Sequence, residues 1–239
     1  MKSGFFTTGF LVPHPPIKKR WIAAVGLALE VAFNAIRENG FDLANAEEDD
    51  ITFELEKIFE NWLLPRLVED LDLSFIRSVT RESASANHDE SSIGRKPDLV
   101  FRLNRRELCQ IHDLSKDALF AECKPVGTAH RLSQHYCAVG KSTSGIERFV
   151  TGAYASSMEQ AMMIGYARDG FRIDSELAEA LRTERAKTGL GEPTDLSCVR
   201  ASEDPRAQGL WQTTHKRNFR WPDGERASPI DLYHSWHEC

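Results

Sequence analysis

D-A-L-F-A-E-C-K-P-V-G, residues 117–127, carries Glu122 and Lys124 inside an otherwise apolar run. Its central part, A-L-F-A-E-C-K-P-V (118–126), reads as a strand. Residues two apart on a strand share a face, so Glu122 and Lys124 project together while Ala121, Cys123 and Pro125 face the other way. One acid and one amine therefore stand side by side. Upstream, K-P-D-L-V-F-R-L (96–103) reads as a second strand, with Pro97 at a start or edge, where its missing N–H costs no ladder bond. A hairpin across the polar insert N-R-R-E-L-C-Q-I-H-D-L-S-K-D (104–117) leaves that insert as a loop and brings Asp98 towards Glu122 and Lys124. Two carboxylates and a lysine then converge.

Outward from this pair the hydrophobic period tells helices from strands. W-I-A-A-V-G-L-A-L-E-V-A-F-N-A-I-R-E-N-G (21–40) places Ile22, Val25, Leu29, Ala32 and Ile36 at three- and four-residue steps and ends at Asn39-Gly40, which predicts a packed helix. E-E-D-D-I-T-F-E-L-E-K-I-F-E-N-W-L (47–63) predicts a second, with an apolar stripe of Ile51, Leu55, Ile58, Phe59 and Trp62 running up to Pro65. L-S-F-I-R-S-V-T-R (73–81) and M-M-I-G-Y-A (162–167) read as strands. A-Y-A-S-S-M-E-Q-A-M-M (153–163) is open between helix and strand, and S-E-L-A-E-A-L-R-T-E-R-A-K (175–187) predicts a helix. L-W-Q-T-T-H-K-R (210–217) and I-D-L-Y-H-S-W-H (230–237), each partly polar, read as late strands. The pattern predicts one α/β domain over 1–239, with a helical N-terminal part (1–70), a core (about 48–167) and C-terminal strands (190–239).

Composition bounds the function classes. With 239 residues, 41% hydrophobic and 28% charged, the chain has material for a buried core. Its net charge of -6 attracts no polyanion globally, so nucleic-acid contact has to come from local basic clusters or bound cations. Five cysteines (Cys109, Cys123, Cys137, Cys198, Cys239) are odd in number and lack the spacing of a secreted disulfide framework, which predicts a reducing compartment. Pro13, His14, Pro15 and Pro16 interrupt the N-terminal apolar stretch before a signal-peptide core forms, and Glu30, Asn34 and Arg37 interrupt the run from residue 21. These features predict a soluble, cytoplasmic protein with no membrane association.

Adjacent carboxylates repel unless a positive group joins them, and a hard divalent cation such as Mg²⁺ prefers oxygen ligands. Such an ion activates water and polarises a phosphodiester, while a lysine ammonium orients the nucleophile or steadies the phosphate. K-P-D-L-V-F-R-L followed by A-L-F-A-E-C-K-P-V, downstream of an acid-rich helix, resembles the PD-(D/E)xK signature of the restriction-endonuclease-like nucleases. The resemblance covers about residues 48–167 and implies a restriction-endonuclease-like core, a mixed β-sheet flanked by helices. Asp98 and Glu122 sit 24 positions apart (122 minus 98), farther than a tight hairpin needs. By the resemblance, Asp98 and Glu122 bind Mg²⁺ (Mn²⁺ being a substitute), Lys124 assists the attacking water, and a glutamate of the first core helix completes the site. Glu48 is the choice for that glutamate, with Glu54 and Glu56 beside it.

Other polar residues carry weaker signals. H-Y-C-A-V-G-K-S-T-S-G-I-E-R-F-V (135–150) opens a backing helix that sets Lys141 and Arg148 near a phosphate path, but it lacks the phosphate-loop spacing. Gln160 is a candidate for orienting water, or a polar cap on a strand. His215 with Arg217, and His234 with Trp236, share strand faces, either as a groove for a base and its phosphate or as half-exposed edge residues. Arg148, His215 and Arg217 are accordingly the nucleic-acid-binding candidates. A zinc site from Cys198, His234, His237 and Cys239 lacks a C-x-x-C pair. The expected function is a Mg²⁺-dependent nuclease acting on DNA, with RNA the same chemistry, in microbial antiviral defence or restriction and with a partner protein or as a homodimer. The rival is a non-catalytic nucleic-acid or protein-binding subunit that keeps the nuclease fold.

Overall fold

The computed structural model describes residues 13–66, 71–83, 85–86, 93–109, 111–141, 144–221 and 223–239. Helix α1 (Lys19–Glu38) buries Ile22, Val25, Leu29, Ala32 and Ile36, the face expected from their spacing, and Phe33 beside them. It ends at Asn39, and Gly40 turns the chain at φ +78°, where a side chain would be strained. Helix α2 (Glu48–Ile58) buries Ile51, Thr52 and Leu55 and gathers Glu48, Asp49 and Asp50 in its first turn, at the positive end of the helix dipole. A π-helical turn (Phe59–Leu63) extends it, and Pro65 follows where the helix can no longer continue.

The strands are β1 (Ile76–Arg81), the short antiparallel pair β2 (Ser85–Ala86) and β3 (Ile93–Arg95), β4 (Leu99–Leu103), β5 (Ala118–Val126), β6 (Gln160–Ala167), β7 (Ser197–Arg200), β8 (Ala207–His215) and β9 (Ile230–Glu238). Seven of them form one mixed sheet in the order β1-β4-β5-β6-β9-β8-β7, parallel only at β5–β6 and β6–β9. The sheet with its flanking helices makes the chain α/β. β5 and β6 are buried along their whole length, which is why their sequences run almost continuously apolar instead of alternating. The insert 104–117 is a loop with one 3₁₀ turn at Arg106–Leu108.

Register sorts the side chains into two faces. Pro125 and Tyr166 pair across β5–β6, and Tyr166 pairs with His237 on β9. On this face Phe33 of α1 stacks on His237 with ring centres 4.1 Å apart and meets Tyr166 edge-on. The other face carries Glu122, Lys124, Met163, Gly165, His234 and Trp236. Tyr136 covers it, 5.5 Å from the Trp236 ring, beside the short helix α3 (Ile146–Val150). The Trp236 indole occupies the space above Gly165 where a Cβ would stand. Gly165→Ala is therefore expected to cost about 1–3 kcal/mol, read by urea denaturation, because a fully buried indole has to shift. An unchanged midpoint would show that the indole is not packed on this glycine.

One expectation changes, and two points left open are resolved. The helix expected over 175–187 is broken into a π-helical turn (Ile173–Leu177), α4 (Ala178–Arg182) and α5 (Glu184–Gly189). Thr183 takes an extended ψ of 146° and its hydroxyl accepts from the Ala186 N–H, so a threonine N-cap starts a new helix. The open stretch 153–163 is turn up to residue 159 and strand from Gln160. The late strands lie inside the sheet, since β9 runs between β6 and β8. Among the described residues no helix is long and apolar enough to cross a membrane.

A strap of residues 14–17 crosses the start of β6. His14 N–H donates to Ser157 O (2.7 Å) and Ile17 N–H to Gln160 Oε1 (2.9 Å). Gln160 thus anchors the strap, the polar-cap alternative for this residue. Arg105 donates to Pro15 O at 2.7 Å and pairs with the fully buried Asp117.

Candidate active site

β4 and β5 pair only as far as Leu99 opposite Ala121. One residue beyond, the chain enters β4 through Pro97-Asp98, and the strands part. In that fork Asp98 Oδ2 accepts the Cys123 N–H at 2.6 Å, replacing the backbone acceptor that the ladder no longer supplies. The fork aims Glu122 and Lys124 at Asp98. α2 completes the arrangement from outside the sheet, because its first residue, Glu48, reaches Lys124.

The Lys124 ammonium lies 2.8 Å from Glu48 Oε1, 3.0 Å from Glu122 Oε1 and 3.5 Å from Asp98 Oδ2. Arg148 of α3 stands 2.9 Å from the same Glu122 oxygen, and the Tyr154 hydroxyl donates to Glu122 Oε2. Glu122 is wholly buried and Lys124 nearly so. Burial pushes the Glu122 carboxyl up to about 7, with Asp98 adding to it against Lys124 and Arg148. Burial also raises Glu48. Burial alone would lower Lys124, but Glu122, Asp98 and Glu48 together outweigh it and hold the ammonium above its ordinary range. Tyr154 is raised well above its usual value, first by burial and then by Glu122, so it stays a hydroxyl donor.

The expected trio Asp98, Glu122 and Lys124 thus meets, joined by Glu48 and Arg148. Glu54 instead pairs with Lys57 at 2.7 Å, and Glu56 accepts from Arg81 N–H at 2.9 Å. Tyr154 carried no sequence signal. It lies in the turn before β6, in a stretch whose letters suit a helix as well as a strand.

His215 and Arg217 are corrected. His215 is fully buried, with Nδ1 2.6 Å from Leu190 O and Nε2 2.8 Å from Thr213 Oγ1. Thr213 continues to His234 Nε2 at 2.7 Å, and His234 Nδ1 lies 2.9 Å from the Tyr136 hydroxyl. Neither ring lines a surface groove. Arg217 lies beyond the end of β8, buried, and its guanidinium donates to Ser228 O (2.7 Å), Met158 O (3.0 Å) and Ser156 O (3.1 Å). Its donors are spent on backbone carbonyls rather than left for phosphate. His234 and His237 point to opposite faces, which separates the residues of the zinc alternative.

Among the described residues, no three His, Cys, Asp or Glu side chains are placed so as to hold a metal ion between them. The point on which Glu48, Asp98 and Glu122 converge is held by the Lys124 ammonium. The donor set nonetheless has the chemistry of a hard-cation site, because it is all oxygen and the three acids face two cationic groups. Glu122 Oε1 is buried within ion-pair reach of Lys124 and Arg148, yet hydrogen-bonded to neither. Comparison with family models, with curated proteins and with solved structures finds no match to this chain.

Proposed function

We propose that the chain is a Mg²⁺-dependent nuclease of the restriction-endonuclease-like type that hydrolyses DNA phosphodiester bonds. The observation that carries this reading is the convergence of Glu48, Asp98 and Glu122 on one buried ammonium at the fork between β4 and β5. A stabilising ion pair needs one acid; three acids and two bases in a half-open fork suit a site that exchanges charge with a ligand.

Asp98 and Glu122, with Glu48, would hold the cation. When bound, it supplies a Lewis acid that acidifies water and polarises the phosphodiester. The protein's own groups do the positioning. Tyr154 and Arg148 fix the Glu122 carboxylate from its two sides. Lys124, released from part of its acid contacts, would orient the attacking water by hydrogen bonding or steady a phosphate oxygen, staying an ammonium throughout. Arg148, partly exposed, gives a second positive charge beside the phosphate. The resemblance adds a setting of microbial defence or restriction and a partner protein or second copy that delivers the DNA; RNA hydrolysis would use the same groups.

The test is cleavage of supercoiled plasmid and linear DNA with Mg²⁺ or Mn²⁺, comparing wild type, Asp98→Asn, Glu122→Gln and a chelator control. Each substitution keeps the side-chain volume and is expected to lower cleavage about a hundredfold or more, the ~3 kcal/mol of a lost charge contact at the reacting centre. Equal activity in all three proteins would sink the assignment. One observation favours the rival, a binding subunit with a purely structural ion cluster: Lys124 already fills the point of convergence.

A further inference from the structure

Between β5 and α3 the chain runs through a loop that carries His130, His135 and Lys141. The loop lies on the sheet face of Glu122 and Lys124. Lys124 is paired with Gly165 on β6, the Trp236 indole covers Gly165, and Tyr136 packs on that indole. His135 is the residue before Tyr136. Its carbonyl accepts from Gly145 N–H and the Tyr136 carbonyl from Ile146 N–H, both at 3.1 Å, which ties it to the start of the helix that carries Arg148. Glu48 and Asp98 reach Lys124 from α2 and from the β4 side of β5, whereas this loop stands on the β6 side.

Charge around His135 is of one sign. The His130 ring meets it edge-on with centres 5.5 Å apart. Burial, and after it His130, Lys124 and Lys141, hold the His135 imidazole below its ordinary range, and among the described residues no carboxylate is among the groups that act on it. Nearby acids are occupied by the loop's own donors: Asp169 beside His130 accepts from the Thr128 N–H and hydroxyl, and Glu147 of α3 from the Gly140 N–H and the Ser144 hydroxyl. Both imidazoles are half-buried and Lys141 is exposed, so the group is open to a ligand. A metal ion does not suit it, because Lys124 and Lys141 repel a cation there. An oxyanion does, since ring N–H and ammonium groups donate to it and its charge relieves their mutual repulsion.

We propose that His135, with His130 and Lys141, is the phosphate-receiving wall of the Lys124 site and holds a phosphate of the substrate strand beside the one that is attacked. This rests on the nuclease reading for the identity of the strand, though not for the binding of the anion. The shared chemistry is a phosphate oxyanion, supplied by an internal diester or by a terminal monoester. The test is fluorescence anisotropy of a 3′-labelled 12-nucleotide oligo(dT), bearing a 5′-hydroxyl or a 5′-phosphate, in low salt with chelator at pH 8 and pH 6. Wild type is expected to bind about fivefold tighter at pH 6, because imidazoles that face an anion take up protons on binding. Glu122, raised to about 7, and Glu48, also raised, contribute to that rise by losing negative charge, while Lys124, Lys141 and Arg148 stay charged throughout. His135→Gln separates the two parts: it should weaken binding about threefold or more at pH 6 and less than about twofold at pH 8. Lys141→Gln, on an exposed side chain, should weaken binding about threefold at both pH values. A 5′-phosphate gain that His135→Gln abolishes would mark the terminal monoester as the occupant, and equal affinity of the two oligonucleotides the internal diester. A loss in His135→Gln that is the same at both pH values, unchanged binding in both variants, or no binding of either oligonucleotide by wild type would each overturn the wall. Melting temperature at each pH is the folding control. Binding weakened as expected without metal-dependent cleavage by wild type would keep the wall and discard the nuclease; cleavage by wild type with unchanged binding in the variants would do the reverse.

Discussion

Acidification from pH 7 to 4 is expected to unfold the protein, with a midpoint between about pH 4 and 5. The cause is a set of three buried neutral imidazoles. Burial lowers His215 from 6.5 to about 4, His234 to about 3 and His237 to about 3. The Leu190 carbonyl and Asp231 pull His215 the other way without overcoming burial, and Arg37 and Arg200 deepen the effect at His237. A histidine lowered on folding contributes its full stability above pH 6.5 and loses it as pH falls towards the folded value. Each then loses roughly 1.4 kcal/mol per pH unit, so three lose on the order of 8 kcal/mol by pH 4.5. Glu122 opposes this. Its carboxyl, raised from 4.5 to about 7, gives stability that grows as pH falls through that window. That gain is at most about 3 kcal/mol and is spent by pH 4.5, so the histidines win by about 5 kcal/mol, the order of a whole domain's stability. Denaturation by urea at a series of pH values checks it. Replacing His237 by Gln should reduce the slope by about 1.4 kcal/mol per pH unit. A stability flat from pH 6.5 to 4.5 would show that these rings are not sealed from water.

Lys124→Met is expected to lose about 3–5 kcal/mol at pH 7, and Mg²⁺ is expected to restore much of it. Methionine fills similar space but leaves Glu48, Asp98 and Glu122 facing one another without the ammonium between them. A divalent cation can take its place, in competition with protons taken up by the acids themselves. If the vacated acids bind Mg²⁺ a hundredfold below the concentration used, the rescue is about 2.7 kcal/mol. Wild type should gain less, because its own lysine competes. Equilibrium unfolding with and without 10 mM Mg²⁺ reads both effects. A variant destabilised but indifferent to Mg²⁺ would mark the cluster as a structural ion network and favour the binding-subunit reading.

The strand β5 was legible residue for residue, because an inner strand buried on both faces has little reason to carry charge and its two charged residues mark themselves. Asp98 was legible through Pro97, which fixes where β4 begins. Tyr154 was not legible, since it is delivered by a turn in which Ala155 adopts φ 56° and no periodicity points at such a residue. The depth of β8 and β9 was misread for a different reason. Thr213, His215 and His234 look like surface letters, yet they satisfy one another in a buried hydrogen-bonded row, so hydropathy miscounts them. Arg217 is the same case with backbone carbonyls as its partners. The break at Thr183 was hidden because good helix formers stand on both sides of it.

The position of β9 bears on how the chain reaches this structure. It comes after every other strand of the sheet in chain order yet sits between β6 and β8. On a ribosome, β6 would emerge with one edge unpaired until residues 230–238 follow, more than sixty residues later (230 minus 167 is 63). Its Q-A-M-M-I-G-Y-A run is apolar and free of charge, the kind of edge that recruits other chains. Productive folding then waits on a late, long-range strand insertion, and slow translation or a chaperone holding β6 would decide how much nascent chain is saved from aggregation.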